Sequence, residues 1–189
     1  MRSLILVLSL FAASVLPACN GGVHRKGERM AIVRVIGSPW PLHGHAIAWE
    51  GESDDEYVGA GIGNYWFIRD RAAIGVLLSG ANYQYSGENI LAVELEFAYR
   101  WYVLEHEEYA YFWDAGFGAQ WAESEVPKNA TQYEYTFSFG PGMEIPILEN
   151  SKIMVGFQFH HQSNALGRQS DENPSQNEFR LWAAWGWMW

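Results

Sequence analysis

From about Tyr57 to the C-terminus, apolar and polar positions alternate with period two, in runs of about ten residues separated by turn signals. Between Ile90 and Val103, one face carries Leu91, Val93, Leu95, Phe97, Tyr99, Trp101 and Val103. The other carries Ala92, Glu94, Glu96, Ala98, Arg100 and Tyr102. The segments Tyr109–Trp121, Thr131–Ile147 and Lys152–Ser163 repeat the pattern, and the last run sets Phe179, Leu181, Trp185, Trp187 and Trp189 against Glu178, Arg180, Gly186 and Met188. A helix, with its period of 3.6, would mix these classes. Tyr57–Ile68 and Ala72–Tyr85 are less regular but Gly-rich and β-like, and a first strand falls somewhere between Met30 and Glu50. The pattern predicts an all-β chain of eight strands.

Two architectures accommodate such strands. In a soluble sandwich the aromatics form the core and the charges face water. In a transmembrane β-barrel the aromatics face lipid, while Glu94, Glu96, Arg100, Asp114, Glu134, Glu144, Glu178 and Arg180 pair inside the lumen. Composition decides between them. The chain has ten each of Trp, Tyr and Phe, too many for one soluble core of this size, and Trp and Tyr thicken near strand ends as interfacial girdles do. Apolar and polar faces average out, which explains a mean hydropathy of only −0.17 beside 49% hydrophobic residues. The chain also ends on Trp189 after alternating apolar residues, resembling the C-terminal signal of outer-membrane barrels. An eight-stranded antiparallel transmembrane β-barrel over residues 30–189 is therefore expected, in the bacterial outer membrane.

Connection lengths give the barrel an orientation. The links near Arg69-Asp70, Glu105–Glu108 and Glu149–Ser151 are short, as periplasmic turns are; those at Gln84–Glu88, Glu123–Ala130 and Asn164–Gln176 read as longer, polar extracellular loops. Both termini then lie on the periplasmic side. Asp54-Asp55-Glu56 and Glu105-His106-Glu107-Glu108 read as solvated turns.

The N-terminus reads as an export signal over residues 1–18: Arg2, then an apolar core from Leu4 to Leu16 that is short for a membrane span. It runs into Leu16-Pro17-Ala18-Cys19, which looks like a lipobox with cleavage before Cys19 and lipidation of that cysteine, although Pro17 departs from the usual pattern. Residues 19–29 read as a polar linker. The single cysteine excludes a disulfide scaffold. A net charge of −10 with no basic stripe argues against nucleic acid as a partner. His43-Gly44-His45 has no further ligand nearby and reads as a polar loop, so no metal or other cofactor is expected.

One run carries candidate chemistry. In Phe159-His160-His161-Gln162-Ser163-Asn164-Ala165, His161 and Ser163 share the lipid-facing parity, two apart on one strand. That spacing lets an imidazole approach a hydroxyl closely enough to act as its base. A polar cap at a strand end is the plainer reading of the same residues. His160 has the opposite parity and belongs to the lumen.

The segment His161-Gln162-Ser163-Asn164-Ala165, followed by Asn173-Pro174-Ser175-Gln176-Asn177 and a last strand, resembles the outer-membrane lipid A 3-O-deacylases of the PagL type, also termed acyloxyacyl hydrolases. Val126-Pro127, Gly140-Pro141-Gly142 and the strand layout extend the similarity over about residues 57–189. The resemblance implies an eight-stranded barrel with a Ser-His-Glu triad on its outer surface, hydrolysing an acyl ester of lipid A without a cofactor. Ser163 would be the nucleophile, His161 the general base, and Asn164 and Asn173 candidates for positioning or oxyanion donation. The acid position departs from the pattern, since it reads Asn177, which shares the outward parity of Phe179 and Leu181. Asn177 ranks first as the residue orienting His161. Glu178 ranks second, swung outward by a β-bulge, and Asp171 or Glu172 of the loop could also substitute. The implied partners are lipid A or another outer-leaflet glycolipid and the membrane itself, with a homodimer left open. The alternative function is a non-catalytic structural or adhesive small barrel.

Overall fold

The computed structural model describes residues 24–41, 56–85, 88–126, 130–164 and 175–189. Eight strands, β1 (Arg29–Pro41), β2 (Glu56–Arg69), β3 (Ala72–Tyr85), β4 (Glu88–Glu105), β5 (Ala110–Ala122), β6 (Tyr133–Leu148), β7 (Ser151–Ser163) and β8 (Gln176–Met188), close into one barrel. Every strand pairs antiparallel with its sequence neighbour, and β1 pairs with β8. Closure leaves no free sheet edge, which lets the backbone satisfy its own hydrogen bonds inside a bilayer.

The alternation seen along the chain is the alternation between lipid and lumen. Leu91, Val93, Leu95, Phe97 and Trp101 are exposed on the outside of β4, while Glu94, Glu96 and Arg100 between them are buried. All eight charged residues assigned to the lumen are buried inside the barrel. All but Glu134 are paired there with a basic, acidic or histidine side chain, while Glu134 accepts from the Thr131 amide and hydroxyl. Arg100 makes a two-pronged contact with Asp114, 2.8 Å on each prong, and its guanidinium lies 3.8 Å from the Phe112 ring centroid and 4.4 Å from that of Tyr65. Arg34 donates to Ser79 and Glu96, both at 2.9 Å. Arg180 donates to Glu94 at 3.0 Å. Buried charges persist where they are paired and hydrogen-bonded in this way.

The ladder also fixes how the barrel is sheared. Following directly opposed residues from Asn177 on β8 leads through His161, Phe137, Phe117, Phe97, Val76, Asn64 and Ala31 back to β8 at Trp187. That is ten residues further along the same strand, the stagger that strand tilt in a closed barrel requires. A walk from β8 towards β4 therefore descends from the end holding Ser163 and Gln176 to the end holding Arg29 and Trp189.

Two expectations are corrected. Gln84–Glu88 is not a longer loop: β3 and β4 remain paired as far as Tyr85 opposite Glu88, leaving two residues between them. Polar residues at the wet end of a strand look the same in sequence as a loop. Residues 24–28, within the stretch read as a polar linker, pack back against the barrel mouth. Gly27, at φ 96, turns the chain so that its amide reaches the Phe67 carbonyl at 2.8 Å. His24 is then fully buried in the barrel mouth, stacked between Phe67 and Tyr102 at centroid distances of 4.8 and 4.0 Å. Its Nδ1 lies 2.6 Å from Glu105 and its Nε2 3.0 Å from Glu144 Oε1, the same oxygen that accepts from Lys152 at 2.6 Å. Glu105 is accordingly a buried partner and not a solvated turn residue; His106, Glu107 and Glu108 are exposed. Cys19, His43 and His45 lie outside the described residues.

Candidate active site

The wet end of the β7–β8 pair brings three side chains together on the outside of the barrel. Ser163 and His161 stand two apart on β7, so both project from the same face. His161 is directly opposite Asn177 on β8. The imidazole Nε2 is 3.1 Å from Ser163 Oγ, and Nδ1 is 2.7 Å from Asn177 Oδ1. The amide oxygen is an acceptor, so the proton sits on Nδ1 and the Nε2 lone pair faces the hydroxyl. That is the tautomer a base needs in order to take the serine proton.

The trio is partly sheltered: His161 and Ser163 are half-buried and Asn177 is fully buried. Below it lies an aromatic bed. Phe159 and Phe179 flank the ladder two residues further into the membrane, Phe157 packs on Phe179 with centroids 4.8 Å apart, and Phe139 packs on Phe159 at 5.5 Å. Apolar packing on both sides restricts the rotamers of the strands that carry the polar groups.

One residue along, the opposite face of the same two strands carries a second cross-strand pair. His160 Nδ1 is 2.7 Å from Glu178 and its Nε2 is 3.2 Å from Glu94. Glu178 is thus placed in the lumen against His160, with no bulge between Ser151 and Gln162 in the β7–β8 register to turn it outward. It does not reach His161 as the second-ranked orienting residue was expected to do. Asn164 follows Ser163 at the end of β7 and is half-buried. Asn173, Asp171 and Glu172 lie outside the described residues. Among the described residues no group of three or more His, Cys, Asp or Glu side chains could hold a metal ion.

No protein-family model matches this chain, and no curated protein sequence does. Solved structures do. Neisserial surface protein A is similar over 85% of this chain and 95% of its own, with a TM-score of 0.58 and 8% identity. The outer membrane enzyme PagL covers 82% of this chain and 97% of its own, with a TM-score of 0.56 and 12% identity. The outer membrane protein OprG from Pseudomonas aeruginosa covers 88% and 97%, with a TM-score of 0.54 and 8% identity. The chain has the fold of an outer-membrane β-barrel. At these identities the likeness speaks for that fold alone, because eight-stranded barrels carry unrelated functions on one scaffold.

Sequence reasoning missed two parts of this barrel. The His24–Glu105–Glu144–Lys152 cluster left no periodic signal, since it joins residues from four separate segments. The aromatic bed was visible as a row of phenylalanines, but only the cross-strand register shows that it underlies the Ser163–His161–Asn177 trio.

Proposed function

We propose that this barrel is a serine esterase of the outer membrane that removes an ester-linked acyl chain from lipid A or a related outer-leaflet glycolipid. The observation that carries this reading is the unbroken relay from Ser163 Oγ through His161 to Asn177, at 3.1 and 2.7 Å, on the lipid-facing side of the barrel. A hydroxyl, an imidazole and an oriented acceptor have no packing role in a belt that is otherwise apolar.

In the proposed reaction, Ser163 Oγ attacks the ester carbonyl while its proton passes to His161 Nε2. The carbonyl oxygen takes up negative charge, for which amide donors such as Asn164 and Asn173 are the candidates. Collapse breaks the bond to the sugar oxygen, which leaves with the proton from His161. Water, deprotonated by the same nitrogen, then attacks the acyl-serine and releases the fatty acid. Asn177 holds the ring but adds no negative charge, so the imidazolium formed in each half-reaction receives less stabilisation than a carboxylate would provide. Placing the nucleophile on the outer wall lets the bilayer deliver the substrate without a soluble pocket.

The neutral Asn177 also favours a rival, a structural or adhesive barrel that retains the scaffold without turnover. Incubating the purified, folded protein with lipid A in detergent and measuring released fatty acid separates the two. Release by wild type that falls to background in Ser163→Ala and His161→Ala supports the esterase. No release by wild type, or equal release by Ser163→Ala, overturns it.

A further inference from the structure

The end of the barrel that holds Arg29 and Trp189 is divided by charge. On the β1–β2–β3 side stand Arg25, Lys26, Arg29 and Arg69, all exposed. The β4–β5 and β6–β7 turns at the same end carry exposed Glu107, Glu108 and Glu149 instead. Arg34, Arg100, Lys152 and Arg180 are buried in the lumen. In a chain of net charge −10, every exposed cation among the described residues therefore lies in one sector of one end.

These four cations have no acid of their own. The carboxylates beside them, Glu28 and Asp70, accept from the backbone amides of Arg25 and Lys26, each at 2.8 Å. Among the described residues none of the four forms an ion pair, whereas neighbouring Arg71 is 3.6 Å from Glu105 and donates to the Val103 carbonyl at 2.7 Å. The same loop is pinned to β2, because the Gly27 amide donates to Phe67 at 2.8 Å and the Phe67 amide donates to Glu28 at 3.0 Å. The charges are thus gathered before any ligand arrives, which lowers the ordering cost of binding one.

Their depth points to lipid. Arg29 is directly opposite Trp66, and its backbone is hydrogen-bonded in both directions to Trp189, at 3.0 and 3.2 Å. Arg69 lies against the outer wall, where its Nη2 donates to the Tyr99 hydroxyl at 3.0 Å. Tryptophan and tyrosine at the ends of barrel strands mark the boundary between hydrocarbon and headgroups. The cations therefore stand at the level of lipid phosphates. A rim built for a soluble acidic polymer would aim its charges into water, but Arg69 is bonded to a lipid-facing ring.

We propose that this rim binds the headgroup of an anionic glycerophospholipid of the phosphatidylglycerol class, in the leaflet at the Arg29–Trp189 end. The guanidinium groups of Arg25, Arg29 and Arg69 donate to phosphate oxygens, and Lys26 adds a point charge. A zwitterionic headgroup offers the same phosphate but brings a cation that the rim repels, so the selection is for net negative charge. The acidic turns on the β4–β7 side repel that lipid and confine it to β1–β3. Each cation at the headgroup plane raises the local concentration of anionic lipid roughly fivefold. The surface is separate from Ser163 and stands whether or not the barrel hydrolyses esters.

The test uses the folded full barrel in a neutral detergent, titrated with dioleoyl phosphatidylglycerol or dioleoyl phosphatidylcholine, with bound lipid counted by native mass spectrometry. Wild type should retain the anionic lipid at least about tenfold more strongly, and the preference should shrink as salt rises from about 50 to about 500 mM. Combining Arg25→Gln, Lys26→Gln, Arg29→Gln and Arg69→Gln should leave a preference of no more than about twofold. If that variant does not fold, the triple variant that keeps Arg69 and its bond to Tyr99 makes the same comparison and should lose most of the preference. Combining Glu107→Gln, Glu108→Gln and Glu149→Gln changes the net charge without touching the rim and should keep the wild-type preference. Equal retention of the two lipids by wild type overturns the proposal, as does an unchanged preference in the folded rim variant. A gain in the acidic-turn variant as large as the loss in the rim variant would make net charge the cause and overturns the local site. Full displacement of the lipid by an equal concentration of glycerol phosphate would assign the rim to soluble phosphate and also overturns it.

Discussion

His161 and Asn177 are directly opposed across the β7–β8 ladder, with Nδ1 2.7 Å from the amide oxygen. An amide in that place fixes the tautomer and the ring plane, but it is blind to the charge that the ring acquires when it takes the serine proton. A carboxylate would hold the ring and stabilise the imidazolium as well. Asn177→Asp keeps the side-chain length and adds the charge, so it should raise the initial rate of fatty acid release roughly tenfold or more. Asn177→Ala removes the acceptor and should lower that rate. A rate unchanged by both substitutions would remove Asn177 from the mechanism.

Glu178, one residue further on, belongs to the other side of the wall. Its carboxylate faces His160 in the lumen, beside the Arg180–Glu94 pair. Glu178→Gln leaves the outer trio untouched, so hydrolysis should stay within about twofold of wild type, while the lost charge weakens a buried hydrogen bond by about 1 kcal/mol or more. Assays of release and of urea unfolding on the same preparation check both parts. A collapse in rate with unchanged stability would mean that Glu178 acts on the chemistry.

The strand count, the lumen charges and the shared face of His161 and Ser163 were legible in sequence for one physical reason. Every outward residue of a membrane barrel meets the same apolar medium, so the period-two signal runs without interruption through β4 to β8. Glu94, Glu96 and Arg100 stand out because nothing charged alternates with them on the lipid side. What the alternation does not encode is tertiary meeting. Glu105 looks like a turn acid until His24 folds back against it from 81 positions away. Gln84–Glu88 looks like a loop because a strand that rises out of the membrane becomes polar too. Parity assigned Glu178 to the lumen and Asn177 to the outside; the register adds which histidine each one meets.

Arg100 and Asp114 form a two-pronged buried ion pair in the lumen and give a second stability test. Their two contacts of 2.8 Å are buried, with Phe112 and Tyr65 against the guanidinium. Removing one partner strands the other charge in an apolar surround, and Arg100→Met should cost about 3–5 kcal/mol. Replacing both, Arg100→Met with Asp114→Leu, should cost less than the single change, because no unpaired charge remains. Urea unfolding in detergent, followed by tryptophan fluorescence, gives the comparison. A double variant less stable than Arg100→Met would contradict this account of the lumen.

The His24 cluster predicts a pH dependence of known sign. Burial by itself pulls the His24 pKa down, and the Lys152 charge acts in the same direction. Hydrogen bonds to Glu105 and Glu144 and the Glu144 charge outweigh both, so the pKa stands above its ordinary value of 6.5. The folded barrel therefore binds this proton more tightly than the unfolded chain does. Its contribution to stability is fully present below about pH 6.5 and is lost as pH rises through the higher folded value. The groups facing the ring are Glu105 from β4, Glu144 from β6 and Lys152 from β7, with Arg71 near Glu105 at 3.6 Å. Wild type should unfold at a higher urea concentration at about pH 5.5 than at about pH 9. His24→Ala leaves two buried carboxylates short of a donor and the space between Phe67 and Tyr102 empty. It should lower stability by about 1–3 kcal/mol in acid and shrink the difference between the two pH values. If His24→Ala keeps the full wild-type difference, the pH dependence arises from other groups and the ring serves only as packing.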